Sequence, residues 1–362
     1  MGDINKDPPE TGVLQDSLRS EGENLHKQIA KRNGEVNRMN KGELRAKLRD
    51  LKQDTRGTRA VLQKRLKHCY KKNRLSKANL RDPASINHFY DNIIVIDFEA
   101  TCEEAKPPGF KHEIIEFPAV IINTQSRKII GEFQSYVQPV LNPRLSKFCT
   151  RLTGISQEMV ENAPKFPEVL NQFKNWLNEN NLIFEGEDCR SFAIATDGPW
   201  DMGRFLLHQC NDSQQPLPEW AKKWINIKKS YCNFYRTKRL PLNQMLEKLG
   251  LHFEGRPHCG MDDSRNIARI AIHLLNDGCN LRLNERIRLH SGGKPDFRYR
   301  VVCNLSRRDF ESLRGLSKPD VINNEEESDE DTENEDDEDL GHFENPDEVD
   351  IPIEMMAKLR MK

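Results

Sequence analysis

The pattern of apolar positions divides the chain into a small helical segment and a larger segment of mixed strands and helices. In residues 39–75, apolar residues recur at helical spacing on both sides of a turn at Thr55-Arg56-Gly57, which predicts two short helices. Ile93–Ile96 is an unbroken apolar run, typical of a strand that is buried on both faces. Further strands are predicted at 114–123, 128–139 and 192–195, and helices at 166–178, 199–209, 242–249 and 263–275. This mixture of elements indicates an α/β domain.

Composition changes along the chain and sets the predicted boundaries. The first 38 residues and the residues from 317 onward are polar and poor in aromatic residues, which predicts disorder. The predicted segments are a disordered segment at 1–38, a helical module at 39–75, a linker at 76–89, the α/β domain at 90–280, a basic irregular extension at 281–316 and an acidic disordered tail at 317–362.

The charge is strongly segregated, although 56 Lys and Arg nearly balance 57 Asp and Glu. Residues 323–354 hold 17 acidic residues and no Lys or Arg, so the rest of the chain has 40 acidic residues against 56 basic ones. The helical module has 13 Lys and Arg against three acids. A run of charge is usually a solvated surface, but two basic helices that keep an apolar stripe favour a small nucleic-acid-binding fold.

Several protein classes are excluded by composition. No run approaches the roughly 18 apolar residues needed to span a bilayer, and the N-terminus lacks the basic and apolar parts of a signal peptide. The nine cysteines include no Cys-x-x-Cys pair, which predicts free thiols rather than disulfides or a zinc site. The protein is therefore expected to be neither secreted nor membrane-bound.

Two carboxylates follow the central apolar run. Asp97 and Glu99 alternate with Phe98, so in an extended chain they point to one face and Phe98 to the other. Adjacent carboxylates at the end of an apolar strand repel each other unless a cation lies between them or one is protonated. Asp-x-Glu alone usually marks a strand end at the surface, but the apolar run before it makes a Mg²⁺ site a candidate here.

Asp201 is the second candidate. It lies in the first turn of the helix that Pro199 opens, one turn before the apolar Phe205, which predicts an inward carboxylate. In isolation, a favourable charge at the helix N-terminus is the preferred interpretation. Asp197, just before this helix, is interpreted as a turn or capping residue.

The third candidate group is His258 with Asp263. Counting back from Ile267 and Ile270 puts Asp263, rather than Asp262, on the buried stripe of the last helix. An acid at such a position is costly unless it is paired or binds a cation. His258 is predicted to lie on the preceding loop, where it could act as a general base. A surface histidine before a helix is an equally good interpretation of His258 alone.

Together these residues meet the requirements of two-metal phosphodiester cleavage. In that reaction carboxylates hold two ions roughly 3.5–4 Å apart, and a histidine takes the proton from the attacking water. The order Asp97-x-Glu99, Asp201 and His258-x4-Asp263 resembles the DEDDh class of 3′-to-5′ exonucleases, and Leu152-Thr-Gly-Ile155 resembles a segment near the substrate 3′ end in that class. The strings IDFEATCEE (96–104), HEIIEFP (112–118), KKWIN (222–226) and GRPHCG (255–260) are similar to the Eri-type exoribonucleases, which include the animal enzyme that trims the histone-mRNA 3′ end.

The resemblance covers residues 39 to about 280 and implies a fold and a set of site residues. The implied fold for residues 90–280 is the RNase H-like α/β exonuclease fold, a central mixed sheet flanked by helices. The implied site has two Mg²⁺ ligated by Asp97, Glu99, Asp201 and Asp263, a general base at His258, and a terminal nucleotide in contact with Glu99, Ala100 and His258, with Trp200 close by.

The helical module resembles a SAP domain, a small helical nucleic-acid-binding fold. By position, the resemblance implies that Arg65, Lys67 and Lys71, and more weakly Arg56, face the backbone of an RNA duplex. Duplex RNA is read mainly by shape and phosphate contacts, which suits a module this basic.

The predicted function is a Mg²⁺-dependent 3′-to-5′ exoribonuclease that releases nucleoside 5′-monophosphates from structured RNA with a short 3′ overhang. The resemblance implies histone-mRNA stem-loops, the 3′ end of 5.8S ribosomal RNA and small interfering RNA as substrates. It also implies the histone stem-loop-binding protein and ribosomal subunits as partners, and a location in the cytoplasm and nucleus, including the nucleolus. A monomer is expected, because the sequence shows no oligomerisation signal. Two alternatives stay open at this point: a DNA exonuclease of the same class, and a non-catalytic RNA-binding protein.

Overall fold

The computed structural model describes residues 27–77, 89–105, 107–182, 192–289 and 299–302. Residues 1–26, most of the predicted linker and the whole acidic tail lie outside these ranges, so the predictions made for them stay predictions.

Three helices form the helical module: α1 at 27–38, α2 at Lys41–Asp50 and α3 at Arg59–Lys77. Asn40 begins α2 with a capping box, in which its side chain accepts the Glu43 N–H and the Glu43 carboxylate accepts the Asn40 N–H. A turn separates α2 from α3, as predicted. The apolar stripes of the helices enclose a small core of Val36, Leu44, Leu48, Leu62 and Leu66.

The prediction of disorder through residue 38 is wrong for residues 27–38, which form α1. Val36 is fully buried in the core of the module. Arg59 of α3 donates to the carbonyls of Asn37 and Met39, at 2.6 and 3.0 Å, next to the C-terminal end of α1. A buried apolar anchor and a long-range hydrogen-bond donor therefore order a segment for which composition alone predicts disorder.

The described strands of the larger domain form one mixed sheet. They are β1 (Asn92–Val95), β2 (Glu99–Ala100), β3 (Ile114–Asn123), β4 (Lys128–Tyr136), β5 (Phe192–Thr196), β6 (Lys223–Asn226), β7 (Glu285–Leu289) and β8 (Tyr299–Val302). Their order is β2-β3-β1-β5-β6-β7-β8, with β4 paired to β3. The neighbours β1, β5 and β6 are parallel, and β3 is antiparallel to β1. The predicted α/β fold with a central mixed sheet is confirmed.

Helices pack on both faces of this sheet. They are α4 (Lys147–Thr153), α5 (Gln157–Glu161), α6 (Phe166–Glu179), α7 (a π-type stretch at Asp201–Leu206 continued by Leu207–Asp212), α8 (Ile227–Tyr235), α9 (Leu242–Leu249) and α10 (Gly260–Asn276). Ile93 and Val95 pack in the layer that contains α8, α9 and α10, whereas Ile94 and Ile96 pack in the layer that contains α6 and α7. Strand β1 is therefore buried on both faces, as its apolar run predicts.

The extension after residue 280 is not wholly irregular, so that prediction is wrong for 285–289 and 299–302. Strand β7 pairs antiparallel with β6, and β8 with β7. Glu285 is buried and its carboxylate accepts the side-chain N–H of Asn226 at 3.0 Å. The side chain of Asn284 accepts the backbone N–H of Asn226 at 2.7 Å. These polar contacts to the end of β6 attach the extension to the sheet edge.

Two features of the described residues bear on the protein class. The cysteines within them are all free thiols, as predicted. Among the described helices, none combines the length and the apolar character needed to cross a bilayer.

We expect His273 to make folding sensitive to acid. It lies in the last turn of α10, where burial, with a smaller effect of Arg65, lowers its pKa from the ordinary 6.5 to about 4. Between pH 6.5 and about pH 4, the folded protein therefore keeps His273 neutral whereas the unfolded chain binds a proton at this residue. The stabilisation that is present above pH 6.5 is lost as the pH falls towards 4. We expect this group to remove about 2 to 3 kcal/mol of unfolding free energy between pH 7 and about pH 4.5.

Urea unfolding of the full chain at a series of pH values measures this effect. The variant His273→Gln should lose that part of the pH dependence, whereas replacement of the exposed His252 by Gln should keep it. Equal pH dependence of the wild type and His273→Gln would contradict the assignment.

Candidate active site

Asp97 and Glu99 lie where the chain leaves the end of β1. Both side chains are nearly fully buried. Phe98 between them packs its ring edge-on against Phe117, 4.7 Å away, in the layer that contains α6 and α7. The two carboxylates therefore point to the side of the sheet on which α10 packs, which confirms their predicted common face.

The start of α10 brings the third acid to this point. Asp263 is buried on the same stripe as Ile267 and Ile270, as predicted. Its Oδ2 accepts the backbone N–H of His258 at 2.8 Å, and His258 precedes the helix on a loop with a φ of +63°. One carboxylate oxygen each of Glu99 and Asp263 and one ring nitrogen of His258, all potential metal ligands, lie within 4.8 Å of one another.

Asp201 reaches the same place from the opposite layer. It is buried at the start of the π-type stretch of α7, and its Oδ1 accepts the backbone N–H of Phe98 at 3.0 Å. Trp200 precedes it, half-buried, with the guanidinium of Arg204 stacked 4.4 Å from the centre of its ring. Ala100 is buried in β2 directly after Glu99. All predicted site residues of the larger domain therefore converge on one end of the sheet, while their individual roles stay predictions.

A small cleft exposes part of this group. It is lined by Asp97, Asp197, Leu242, Asn243, Pro257, His258 and Asp263. The interpretation of Asp197 as only a turn residue is incomplete, because its buried carboxylate lines the cleft and forms an ion pair of 2.9 Å with Lys228. Strands β1 and β5 are parallel neighbours, so the residues that follow their carboxyl ends meet at one edge. Because Asp197 directly follows β5, this rule could have predicted its place beside Asp97.

The composition of the site fits a divalent cation. Buried carboxylates within a few ångströms repel one another and are costly unless a cation compensates their charge. Carboxylate oxygens are the preferred ligands of hard cations such as Mg²⁺. Glu99 and Asp263 with His258 form a candidate metal site, and Asp97 lies in the same cleft as Asp263.

Glu116 supports the start of α10 and was not predicted. This buried glutamate of β3 accepts the backbone N–H groups of Gly260 and Met261, at 3.0 and 3.3 Å, and the side-chain N–H of Gln134 at 2.8 Å. Burial raises its pKa, although these hydrogen bonds act in the opposite direction. An acid inside the apolar run 114–123 was the signal that could have identified it.

Arg256 connects the His258 loop to the end of α4. Its guanidinium donates to the carbonyls of Arg151 and Leu152 at 2.7 and 3.3 Å, and its backbone N–H donates to Asp262 at 2.9 Å. It passes over Gly154, the left-handed C-cap of α4, within the segment 152–155 that resembles a substrate-end motif. This contact fixes the loop of the predicted general base relative to that segment.

We expect Gly154→Ala to disturb the site. A Cβ at this position would lie 1.4 Å from Nη1 of Arg256, and the φ of +77° is itself unfavourable for alanine. The variant should lose about 1 to 3 kcal/mol of stability from the left-handed backbone conformation. It should also cleave RNA more slowly, because the Arg256 guanidinium must leave the end of α4 and the loop that carries His258 then loses this contact. Urea unfolding and initial cleavage rates measure both effects.

Gly109→Ala is the matched control for Gly154→Ala. Gly109 has a similar φ of +75°, but a Cβ there would meet nothing within 4 Å. If both substitutions have the same effect on cleavage, the contact with Arg256 is not what matters.

The structure corrects the predicted RNA-facing residues of the helical module. Arg65 is only 4% exposed and forms an ion pair with Asp277 of the larger domain, so its predicted position on the RNA-facing surface is wrong. It follows Val61 by four residues and Leu62 by three, which places it on the buried stripe of α3. This spacing, which is visible in the sequence, already indicates a buried position for Arg65.

The other predicted RNA-facing residues remain at the surface, at least in part. Lys67 is partly buried and its ammonium donates to the side chain of Asn37 at 2.5 Å. Arg56 is exposed and pairs with Asp54 at 2.7 Å. Lys71 is partly buried on α3. Their contacts with RNA stay predictions.

Comparison with known proteins agrees with this geometry. A sequence profile described as Exonuclease matches residues 94–271. The 3′-5′ exoribonuclease 1 of Rattus norvegicus is 52% identical over 270 residues, which is 74% of this chain and 76% of the rat protein. A solved 3′-exonuclease structure, which describes 3′-end specific recognition of histone mRNA stem-loop, is 48% identical in sequence. The match covers 77% of this chain and 92% of that chain, with a TM-score of 0.55.

A second solved structure matches the larger domain. The nuclease domain of 3′hExo, a DEDDh family member bound to rAMP, is 52% identical, covers 55% of this chain and 99% of its own, and gives a TM-score of 0.53. The extent of these identities, together with the convergence of four acids and a histidine, shows that this chain belongs to the DEDDh exonuclease family and is a 3′-5′ exoribonuclease.

Proposed function

We propose that this protein is a Mg²⁺-dependent exoribonuclease that trims the 3′ ends of structured RNA and releases nucleoside 5′-monophosphates. The observation that carries the proposal is the convergence of donor atoms from Glu99, His258 and Asp263 within 4.8 Å, in a cleft that Asp97 also lines. A group of acids this deeply buried is costly to fold without a cation, which supports a role in binding one.

The protein's own groups have distinct tasks in this reaction. Asp97, Glu99, Asp201 and Asp263 would hold two Mg²⁺, which when bound supply positive charge for the phosphate and lower the pKa of water. His258 accepts the proton of the attacking water. Its backbone N–H bond to Asp263 keeps the loop close to the acids. Glu99, Ala100 and Trp200 line the position proposed for the terminal nucleotide.

The proposed substrates are histone-mRNA stem-loops, the 3′ end of 5.8S ribosomal RNA and small interfering RNA duplexes. One solved relative recognises the histone mRNA stem-loop, and another holds rAMP, a ribonucleotide of the kind that this reaction would release. The basic surface of the helical module supports duplex binding, and we assign it the role of a SAP domain. Histone stem-loop-binding protein and ribosomal subunits are the proposed partners of a monomer that acts in cytoplasm, nucleus and nucleolus.

The test is cleavage of a 5′-labelled RNA hairpin with a single-stranded 3′ tail by the purified full chain. We expect stepwise shortening with Mg²⁺, no shortening with EDTA, and recovery when excess Mg²⁺ is returned. Chromatography should identify nucleoside 5′-monophosphates as the products. Shortening that persists in EDTA, or release of nucleoside 3′-monophosphates, would refute the proposed chemistry.

A DNA hairpin of matched sequence is the second arm of this experiment. The acids and His258 act on the phosphate and cannot by themselves distinguish ribose from deoxyribose. We expect RNA to be the faster substrate by at least about tenfold, since one lost 2′-hydroxyl contact is worth about 1.4 kcal/mol or more. Equal rates would favour a nuclease that does not select the sugar.

A further inference from the structure

A buried ion pair joins the helical module to the larger domain. Arg65 of α3 donates from Nε to Oδ1 of Asp277 at 2.7 Å and from Nη2 to Oδ2 at 3.2 Å. Arg65 is 4% exposed and the side chain of Asp277 is fully buried. Two parallel bonds between a guanidinium and a carboxylate define a single relative orientation of the two groups.

Further hydrogen bonds complete this connection. Nη1 of Arg65 donates to the carbonyls of Asp54 and Arg56, at 2.8 and 3.0 Å, in the turn between α2 and α3. The hydroxyl of Tyr235 in α8 donates to Oδ2 of Asp277 at 2.7 Å. A buried charge pair with its remaining donors and acceptors satisfied is held in place, whereas loss of one partner leaves an uncompensated buried charge.

The backbones of the two domains are also in close contact around this pair. The N–H of Thr58 donates to the carbonyl of Lys248 at the end of α9, at 2.8 Å. Gly278, just after α10, is so close to the module that a Cβ there would lie 2.3 Å from Nδ1 of His68. The helical module is thus packed directly against the C-terminal ends of α9 and α10.

Helix α10 links this contact to the catalytic acids. Asp263 lies in its first turn and Asp277 directly follows its last residue. At 1.5 Å per residue, the two positions are about 21 Å apart along a continuous helix. The position of the module relative to Asp263 therefore depends on helix α10, on the buried ion pair and on the contacts around it.

We propose that the pair of Arg65 and Asp277 makes the helical module a fixed stop that determines how many unpaired 3′ nucleotides remain after trimming. This inference rests on the proposed function, because it requires the module to hold an RNA duplex. A duplex held at a fixed distance from the cleft can deliver its single-stranded tail only until the tail is too short to reach the acids. Arg65 and Asp277 are positioning residues in this scheme and do not contact the reacting phosphate.

The test measures product length and not only rate. A 5′-labelled hairpin with a long 3′ tail is trimmed to completion by the wild-type full chain and by the double variant Arg65→Met with Asp277→Leu, which removes both buried charges together. We expect the wild type to accumulate one dominant end product. The double variant should distribute the same material over several lengths, with the dominant fraction reduced at least about twofold, while its rate on unstructured single-stranded RNA stays within about twofold of the wild type.

Graded and matched variants separate positioning from RNA binding and from folding. Tyr235→Phe removes a single hydrogen bond to Asp277 and should broaden the products slightly, so it remains informative if the double variant fails to fold. Arg49→Met removes an exposed cation of the same module and should weaken hairpin binding without changing the final length.

Two outcomes overturn the inference while leaving the proposed function intact. One is a double variant that cleaves single strands normally and stops at the same sharp length as the wild type. The other is a wild type that already ends at many lengths in similar yield. Failure of the wild type to shorten any RNA in Mg²⁺ would instead refute the proposed function.

Discussion

Replacing Asp97 with asparagine should reduce RNA cleavage by at least about 1,000-fold, equivalent to about 4 kcal/mol of transition-state stabilisation. Asparagine keeps the size of the buried side chain but removes the negative charge that we assign to cation binding. Affinity for a hairpin RNA should stay within about threefold of the wild type, because most of the affinity comes from phosphate contacts to basic residues elsewhere. Initial rates and equilibrium binding under the same salt and Mg²⁺ measure the two quantities.

The control for this variant is Asp212→Asn. Asp212 is the last residue of α7, far from the cleft acids, and forms an ion pair of 2.6 Å with Lys111. Loss of the Asp212 charge should leave cleavage nearly unchanged. The catalytic assignment would be refuted by an Asp97→Asn enzyme that cleaves within a few-fold of the wild type. Loss of binding in parallel with cleavage would indicate that Asp97 supports the fold and not the chemistry.

Replacing His258 with alanine should slow cleavage by about 100- to 10,000-fold, the usual contribution of a general base. The buried acids remain, so RNA binding and the requirement for Mg²⁺ should persist. Added imidazole should restore part of the rate, because removing the His258 ring leaves a space of the same shape in the cleft that this residue lines. Rates measured over a range of imidazole concentrations test this expectation.

His252→Ala is the matched control, since His252 is exposed on the segment that follows α9. It should show neither the loss of rate nor any response to imidazole. If His258→Ala retains nearly full activity, the proton acceptor is another group. A slow variant that gains nothing from imidazole and also needs far more Mg²⁺ would place His258 in cation binding instead.

Features that depend on local periodicity were accessible from the sequence. The apolar run 93–96 predicts a strand that is buried on both faces, and its side chains do alternate between the two apolar layers. The common face of Asp97 and Glu99 and the inward position of Asp263 follow from the same repeat geometry. Recognition of the family added the connection among these separate motifs, which no single spacing contains.

Features that depend on partners far along the chain were missed or misassigned. The positive charge of Arg65 suggested an RNA contact, but its partner Asp277 is 212 residues away and only the fold brings the two together. Residues 27–38 and strand β7 are ordered for the same reason, since Val36 and Glu285 find their contacts on other elements.

The amino-acid sequence alone therefore determined strands β1, β3, β4 and β5 of the central sheet, because backbone periodicity is a property of short stretches. The order of its motifs, through the family resemblance, indicated the class of enzyme and the candidate catalytic residues. Only the tertiary structure decided which charges are buried and paired and how the basic helices sit relative to the catalytic acids. The cost of burying a charge depends on the groups that surround it in space, and those groups come from distant parts of the chain.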